Sequence, residues 1–177
     1  MTLPIRVCTY GADRPKAERG SLARPAARLA AILAVVALVA SLAATPAAAQ
    51  GLRLRGLAGE ELRESDLASQ PTIVVVWASW SPRGRDVVQR VKALVGRWGG
   101  RARVITVNFQ EDRATVEKFL AGQNLGAPVF LDTDGAFSKK YAVTNLPGLV
   151  VFKDGDAAYR GKLPDDADAV IVPILGG

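Results

Sequence analysis

The residues that could do chemistry are concentrated between Trp77 and Asp86, a stretch that reads Trp-Ala-Ser-Trp-Ser-Pro-Arg-Gly-Arg-Asp. Ser81 is a candidate nucleophile, but a catalytic serine needs a general base, usually histidine. The chain contains no histidine, so serine hydrolysis is disfavoured. Ser81-Pro82 is better explained as the side-chain cap and first-turn proline of a helix.

Two arginines and a tryptophan surround Ser81. Arg83 and Arg85 suggest an anion-binding or carboxylate-binding corner at a helix N-terminus. The alternative is a solvated basic face, because cations at that end oppose the helix dipole. Trp80 beside an exposed turn predicts a groove-lining side chain, with ordinary packing as the alternative.

A buried strand and an amphipathic helix must position this stretch. The β-branched run after Pro71 predicts a strand over Ile73–Ser79. Apolar residues at helical spacing predict a helix from Pro82 to about Trp98. An α/β protein normally carries its chemistry at such a strand's carboxyl end.

Sequence patterns predict the other elements as well. They are an edge strand at Leu52–Leu54, a short helix or turn over Glu60–Leu67, strands at Arg103–Phe109, Pro128–Leu131 and Ala157–Gly161, a strand within Val143–Phe152, and helices at Arg113–Ala121, Ala136–Tyr141 and Pro164–Leu175. Asp112 is expected to cap a helix, residues 153–156 to form a hairpin turn, and Pro173 to break the last helix early. This order predicts an α/β fold, a mixed central sheet with helices on both faces.

Several motifs in this order resemble the thioredoxin superfamily, and most closely the periplasmic thiol–disulfide reductases of the TlpA type. The matching positions are Trp77-Ala78-Ser79-Trp80, Asp132, Gly135, Tyr141, Val143, Pro147, Asp154-Gly155 and Gly161. The resemblance covers nearly all of residues 52–163 and implies a thioredoxin-like fold.

The resemblance also implies where a site lies. Ser81 and Gly84 stand where the family has the two cysteines of Cys-x-x-Cys, and Pro147 stands at its cis-proline. That proline faces the cysteine turn across a groove that binds extended polypeptide in the family. The implied binding residues are Trp80, Ser81, Pro82, Arg83, Leu146 and Pro147. The alternative for Pro147 is a rigid turn that serves the fold alone.

Thiol–disulfide exchange needs a thiolate that attacks a disulfide sulfur. A serine hydroxyl at position 81 cannot form a disulfide, and Gly84 has no side chain to resolve one. The one cysteine, Cys8, lies in a segment expected to be removed. Dithiol oxidoreductase activity is therefore excluded for the remaining chain, unless a partner supplies both thiols.

Residues 1–49 have the pattern of a signal peptide. Arg24 and Arg28 flank an apolar run from Leu29 to Ala44, and an Ala-x-Ala cleavage site precedes Gln50. The run is short for a membrane span, which needs about 20 residues. A retained anchor and a buried core helix are the alternatives. The prediction is export to the periplasm or beyond, with residues 50–177 as one thioredoxin-like domain.

Charge and ligand chemistry narrow the remaining options. The net charge of +6 belongs largely to the leader, since residues 50–177 carry 17 Lys and Arg against 15 Asp and Glu. A nucleic-acid partner is therefore not expected, nor a membrane except through an uncleaved leader. Zinc, haem and iron–sulfur sites need His or Cys. Asp132-x-Asp134-Gly135 lacks the later ligands of a calcium loop. No metal or cofactor is expected.

These observations favour a redox-inactive, exported domain that binds a polypeptide or an envelope protein in the former active-site groove, as an adaptor, chaperone-like protein or assembly factor. A thiol–disulfide oxidoreductase of the TlpA type, inactive in this chain, is the first alternative. A structural partner subunit with its contact face elsewhere is the second.

Overall fold

The computed structural model describes residues 51–84 and 86–176. The predicted leader and Arg85 lie outside the described residues. No helix within the described ranges is long and apolar enough to cross a membrane.

The described residues form seven strands, which make one sheet, and five helices. The strands are β1 (Arg53–Gly56), β2 (Glu61–Arg63), β3 (Thr72–Trp77), β4 (Arg103–Phe109), β5 (Val129–Asp132), β6 (Gly148–Lys153) and β7 (Asp156–Lys162), and the helices are α1 (Glu64–Ala68), α2 (Val87–Trp98), α3 (Arg113–Phe119), α4 (Ala136–Lys140) and α5 (Asp168–Leu175). The strand order is β2-β1-β5-β4-β3-β6-β7. The β3–β4 and β4–β5 pairs are parallel, and the other pairs are antiparallel. The predicted mixed sheet is confirmed.

Strand β3 lies at the centre of two hydrophobic layers. All six of its residues are buried, as its β-branched run predicted. Val75 and Trp77 pack in the layer that α2, α3 and α5 cover. Val74 and Val76 pack in the opposite layer, beneath α1 and α4. Helices therefore cover both faces of the sheet. The carboxyl end of β3 lies at the edge of the sheet, between the two helical layers.

The beginning of the domain differs from the sequence prediction. Residues 60–67 divide into β2 and α1, because Leu62 alternates with exposed Glu61 and Arg63 and pairs with Leu54. The Gly56 N–H donates to Glu60 O at 2.7 Å and closes the hairpin. The edge strand is therefore β2, and the predicted edge strand at Leu52–Leu54 belongs to the interior strand β1.

Turn residues end the fold largely as predicted. The hairpin between β6 and β7 is confirmed, with φ of 52° at Asp154 and 88° at Gly155, as a primed turn requires. The last helix begins at Asp168, and it continues through Pro173 to Leu175, so the predicted early break is wrong. Pro173 removes a hydrogen bond to the carbonyl of Ala169. Both residues are exposed, so water can satisfy that carbonyl.

Candidate functional site

The turn after β3 is not the first turn of a helix. Helix α2 begins at Val87 with Asp86 at its N-cap, so the prediction that Ser81 caps a helix starting at Pro82 is wrong. The Gly84 N–H instead donates to Ser81 O at 2.8 Å. The buried Ser81 hydroxyl donates to the main-chain oxygen of Leu146 at 3.3 Å. A separate turn at Ser81–Gly84 precedes the helix. The Ser81 hydroxyl therefore binds a carbonyl that is far away in sequence and does not cap the N–H groups of α2.

A buried carboxylate holds the start of this turn. Glu111 is 7% exposed and accepts hydrogen bonds from the Ser79 N–H at 2.7 Å and from the Ser79 hydroxyl. The Asn108 side-chain amide donates to the same carboxylate at 2.6 Å. Three donors satisfy a charge that would otherwise be costly to bury. Glu111 therefore fixes the main chain immediately before Trp80.

Trp80 projects from the turn into solvent. It is 61% exposed, whereas Trp77 and Trp98 are fully buried. Within the described residues it is the one large hydrophobic side chain with such exposure. Hydrogen bonds fix the main chain on both sides of Trp80, because Ser79 binds Glu111 and the Ser81 N–H donates to Ala78 O at 3.2 Å. Trp80 is therefore exposed on a main-chain segment that is itself well held.

Trp80 borders a cavity of about 370 Å³, here called the first cavity. Its walls are Trp80, Ser81, Phe109, Val143, Thr144 and Leu146. Most of this wall is apolar, and the volume is at the lower end of the range typical of ligand pockets. Phe109 ends β4, and the other far-wall residues come from the loop between α4 and β6. The cavity therefore lies between the carboxyl ends of two central strands and that loop.

A second cavity of about 400 Å³ adjoins the first beside α4. The two share Phe109, Val143 and Thr144, and we call them together the groove. The additional walls of the second cavity are Gln110, Asp134, Gly135, Ser138, Lys139 and Ala142. The apolar end of the groove near Trp80 thus leads to a polar end that contains one cation and one carboxylate.

The loop that forms the far wall contains main-chain N–H groups that have no acceptor among the described residues. No described residue accepts a hydrogen bond from the N–H groups of Thr144, Asn145 or Leu146. A main-chain N–H group is a strong donor that is nearly always hydrogen-bonded, either to protein or to water. An exposed run of such groups is the feature to which an extended peptide can add as a strand.

The six binding residues predicted from sequence do not all meet. Trp80, Ser81 and Leu146 line the first cavity together. Pro82 and Arg83 instead line a separate cavity of about 420 Å³ with Asp86, Arg90, Lys162 and Asp165. Pro147 is buried behind the groove, and the peptide bond that precedes it is cis.

Gly84, the second former cysteine position, has no room for a side chain. A Cβ atom placed there would lie 2.7 Å from the main-chain oxygen of Ala78 and 3.0 Å from that of Ser81. Both neighbours are backbone atoms, which cannot rotate away. The main chain of the turn therefore leaves no space for a cysteine side chain at position 84.

Tyr141 anchors the loop that forms the far wall. Its ring packs against Phe137 at 4.7 Å and edge-on against Phe152 at 5.0 Å between centroids. Burial raises the pKa of the Tyr141 phenol above its usual value, the charge of Glu64 adds to this, and Arg160 opposes it. This phenol is therefore held in its neutral form.

The acidic turn after β5 is used by the fold. The buried Asp132 carboxylate accepts hydrogen bonds from the N–H groups of Phe137 and Ser138, both at 2.9 Å. Asp134 accepts from the Ala136 N–H at 3.0 Å. Across the described residues there is no group of three or more His, Cys, Asp or Glu side chains suited to a metal ion. The turn therefore starts α4 rather than forming a calcium loop.

The fold and the site together define a thioredoxin-like protein. The pneumococcal exposed lipoprotein thioredoxin of Streptococcus pneumoniae strain TIGR4 superposes with a TM-score of 0.61 at 20% identity, over 70% of this chain and 96% of that one. A secreted disulfide oxidoreductase of Mycobacterium tuberculosis gives a TM-score of 0.56 at 17% identity, over 67% of this chain and 87% of that one. These similarities establish the fold.

The family follows from the sequence profile of AhpC/TSA, which matches residues 45–162: the chain belongs to the AhpC/TSA family. Sporulation thiol-disulfide oxidoreductase A of Bacillus subtilis (strain 168) is 24% identical over 122 residues, which cover 67% of this chain and 73% of that protein. The resemblance to thioredoxin-like redoxins drawn from the sequence motifs is confirmed. The chain holds one cysteine, Cys8, which is consistent with a degenerate dithiol site.

Sequence reasoning missed several residues of the site. Phe109, Val143 and Thr144 line both cavities, and Glu111 supports the turn. Glu111 carried a usable signal, because it lies two residues after β4, at the strand end where α/β proteins place their sites. The cavity walls carried none, since an apolar residue at a strand end is as common in a core as in a groove.

Proposed function

We propose that this protein is an exported, redox-inactive member of its family that binds extended polypeptide in the groove, in an adaptor, chaperone-like or assembly role. The observation that carries the proposal is the placement of exposed Trp80 at the mouth of the groove. The loop that contributes the far wall contains residues 144–146, whose main-chain N–H groups have no acceptor among the described residues. Aromatic anchors and free main-chain donors are the two requirements for capturing an unfolded strand.

Redox inactivity is supported by two independent features. Residues 50–177 contain no cysteine, so the turn has neither an attacking nor a resolving thiol. The Gly84 position is also sterically closed by main-chain oxygens. The turn therefore lacks the two thiols, and its main chain also lacks the space for a side chain at position 84.

Export is supported by the leader-like pattern of residues 1–49 and by relatives described as an exposed lipoprotein and a secreted protein. In such a compartment a polypeptide partner would be an envelope or secreted protein that is still extended.

Fluorescence titration of the full chain with a permanently unfolded, alkylated polypeptide tests the proposal. We expect the emission of Trp80 to shift to shorter wavelength, since the other two described tryptophans are already buried. Trp80→Ala is expected to weaken binding, measured by the anisotropy of a label on the polypeptide, more than about five-fold. The matched control, Lys118→Ala on the exposed face of α3, should leave affinity unchanged. Unchanged affinity in Trp80→Ala would contradict the proposal.

The second candidate function is thiol–disulfide exchange, which is the activity named for the Bacillus subtilis relative. Reduction of insulin disulfides separates it from the first. We expect no turnover above background from the full chain or from its Cys8→Ser variant. Turnover by the full chain that disappears in Cys8→Ser would identify Cys8 as a catalytic thiol and favour the second candidate.

A further inference from the structure

The two ends of the groove differ in chemistry. The first cavity is walled mainly by aromatic and aliphatic side chains, including Trp80, Phe109 and Leu146. The second cavity shares Phe109, Val143 and Thr144 with the first, and Lys139 also borders it. In an extended peptide, alternate side chains project from the same face about 6.6–6.8 Å apart. The two cavities share three wall residues, so side chains at this spacing are the ones to test against them.

Lys139 is the cation that borders the second cavity, and it has no carboxylate of its own. No described acidic group lies within 4.0 Å of its ammonium, whereas the adjacent Lys140 pairs with Glu64 at 2.6 Å. Asp134 borders the same cavity, but it precedes the start of α4 and binds the Ala136 N–H. Lys139 lies in the last turn of α4, next to the shared wall. Lys139 is therefore the charged group of the second cavity that has no partner among the described residues.

We propose that the groove selects extended segments in which an apolar side chain and a carboxylate are separated by one residue. The inference rests on the proposed function, since it specifies the polypeptide that the groove accepts. The apolar side chain fills the first cavity beside Trp80, and the carboxylate pairs with Lys139. The occupant is thus a polypeptide of another protein with alternating apolar and acidic positions.

The magnitude of each contact assigns it a role. Burial of a large apolar side chain contributes most of the affinity. An exposed ion pair contributes little, so the carboxylate should raise affinity about three-fold at low salt, and less as salt screens the pair. Lys139 is therefore a specificity determinant and not the anchor.

Charge exchange between peptide and protein tests the proposal. The probes are capped, labelled seven-residue peptides with leucine and glutamate separated by threonine, made in both orders, and matched peptides with glutamine or lysine in place of glutamate. We expect one order of the glutamate peptide to bind the full chain about three-fold more tightly than its glutamine match. Lys139→Glu should reverse this, so that the lysine peptide binds more tightly than the glutamate peptide.

Lys118→Glu is the matched control, because Lys118 also lies exposed in the last turn of a short helix and its exchange changes net charge equally. It should leave the preference for the glutamate peptide intact. Equal binding of the glutamate and glutamine peptides, or the same reversal in Lys118→Glu, would overturn the selection rule while leaving polypeptide binding in place. Failure of every peptide and of the alkylated polypeptide to bind would instead overturn the proposed function, and the selection rule with it.

Discussion

The Ser81 hydroxyl donates a hydrogen bond to the main-chain oxygen of Leu146 at 3.3 Å, across 65 residues of sequence. This bond joins the turn after β3 to the loop before β6, the two walls of the first cavity. A serine at this position therefore has a structural use that a reactive thiol would not need. The residue at the first former cysteine position thus forms a hydrogen bond between the two walls of the first cavity.

Removal of this hydroxyl should loosen the groove. Ser81→Ala leaves the Leu146 carbonyl without its donor, and we expect the free energy of unfolding in urea to fall by about 0.5–1.5 kcal/mol. The control is Ser69→Ala, which removes an exposed hydroxyl that donates to Asp66 O at 2.8 Å. That variant should change stability by no more than about 0.5 kcal/mol. Equal losses in the two variants would show that the bond across the groove has no special weight.

Gly84 should not tolerate a side chain. Gly84→Ala places a Cβ 2.7 Å from Ala78 O, and we expect about 1–3 kcal/mol of destabilisation in thermal or urea unfolding. Gly96→Ala is the matched control, because Gly96 lies within α2 and a Cβ added there would meet nothing within 4 Å. It should stabilise the chain by about 0.5–1 kcal/mol.

The same clash affects any attempt to rebuild the dithiol site. A chain with both Ser81→Cys and Gly84→Cys should lose stability relative to Ser81→Cys alone, and the loss should match that of Gly84→Ala. A double variant as stable as Ser81→Cys that also reduces insulin would show that the turn opens readily, contrary to its closed geometry.

Glu111 should act on both stability and binding. Glu111→Ala removes the acceptor of the Ser79 N–H and of the Asn108 side-chain amide, so we expect about 1–3 kcal/mol of destabilisation. Polypeptide affinity should fall as well, because the main chain before Trp80 is released.

The neighbouring acid provides the control for Glu111. The Thr115 N–H donates to Asp112 at 2.7 Å and lowers the pKa of this exposed carboxyl. Asparagine caps a helix as well as aspartate does, so Asp112→Asn should leave stability and affinity almost unchanged. Similar losses in both variants would indicate a general effect of removing charge from this segment.

Tyr141 should make stability fall at alkaline pH. The folded chain holds the phenol pKa above its ordinary value of 10.0. Its contribution is therefore fully present below about pH 10 and is lost as pH rises through the folded-state pKa, because the unfolded chain ionises first. The free energy of unfolding, measured from about pH 8 to about pH 11.5, should decline less steeply in Tyr141→Phe. An identical pH dependence in the two chains would contradict this assignment.

Local patterns predicted much of the fold because they act over short distances. The β-branched run predicts the buried β3, Asp112 predicts the cap of α3, and residues 153–156 predict the hairpin turn. The sequence predicted the first residues of helices less accurately. Ser81-Pro82 has the local form of a helix start, yet Ser81 bonds to Leu146 and α2 begins five residues after Pro82, at Val87. A contact that is distant in sequence outweighed a local preference.

The sequence by itself determined that residues 50–177 contain no cysteine, so these residues place no sulfur at the turn after β3, and disulfide exchange requires one. It also determined the family, through motifs in a fixed order. Only the tertiary structure decided that Trp80 faces a groove, that Lys139 lies at its far end, and that Gly84 is closed by backbone oxygens. The groove depends on contacts between segments 32 and 65 residues apart, which are set by how the two layers pack against β3.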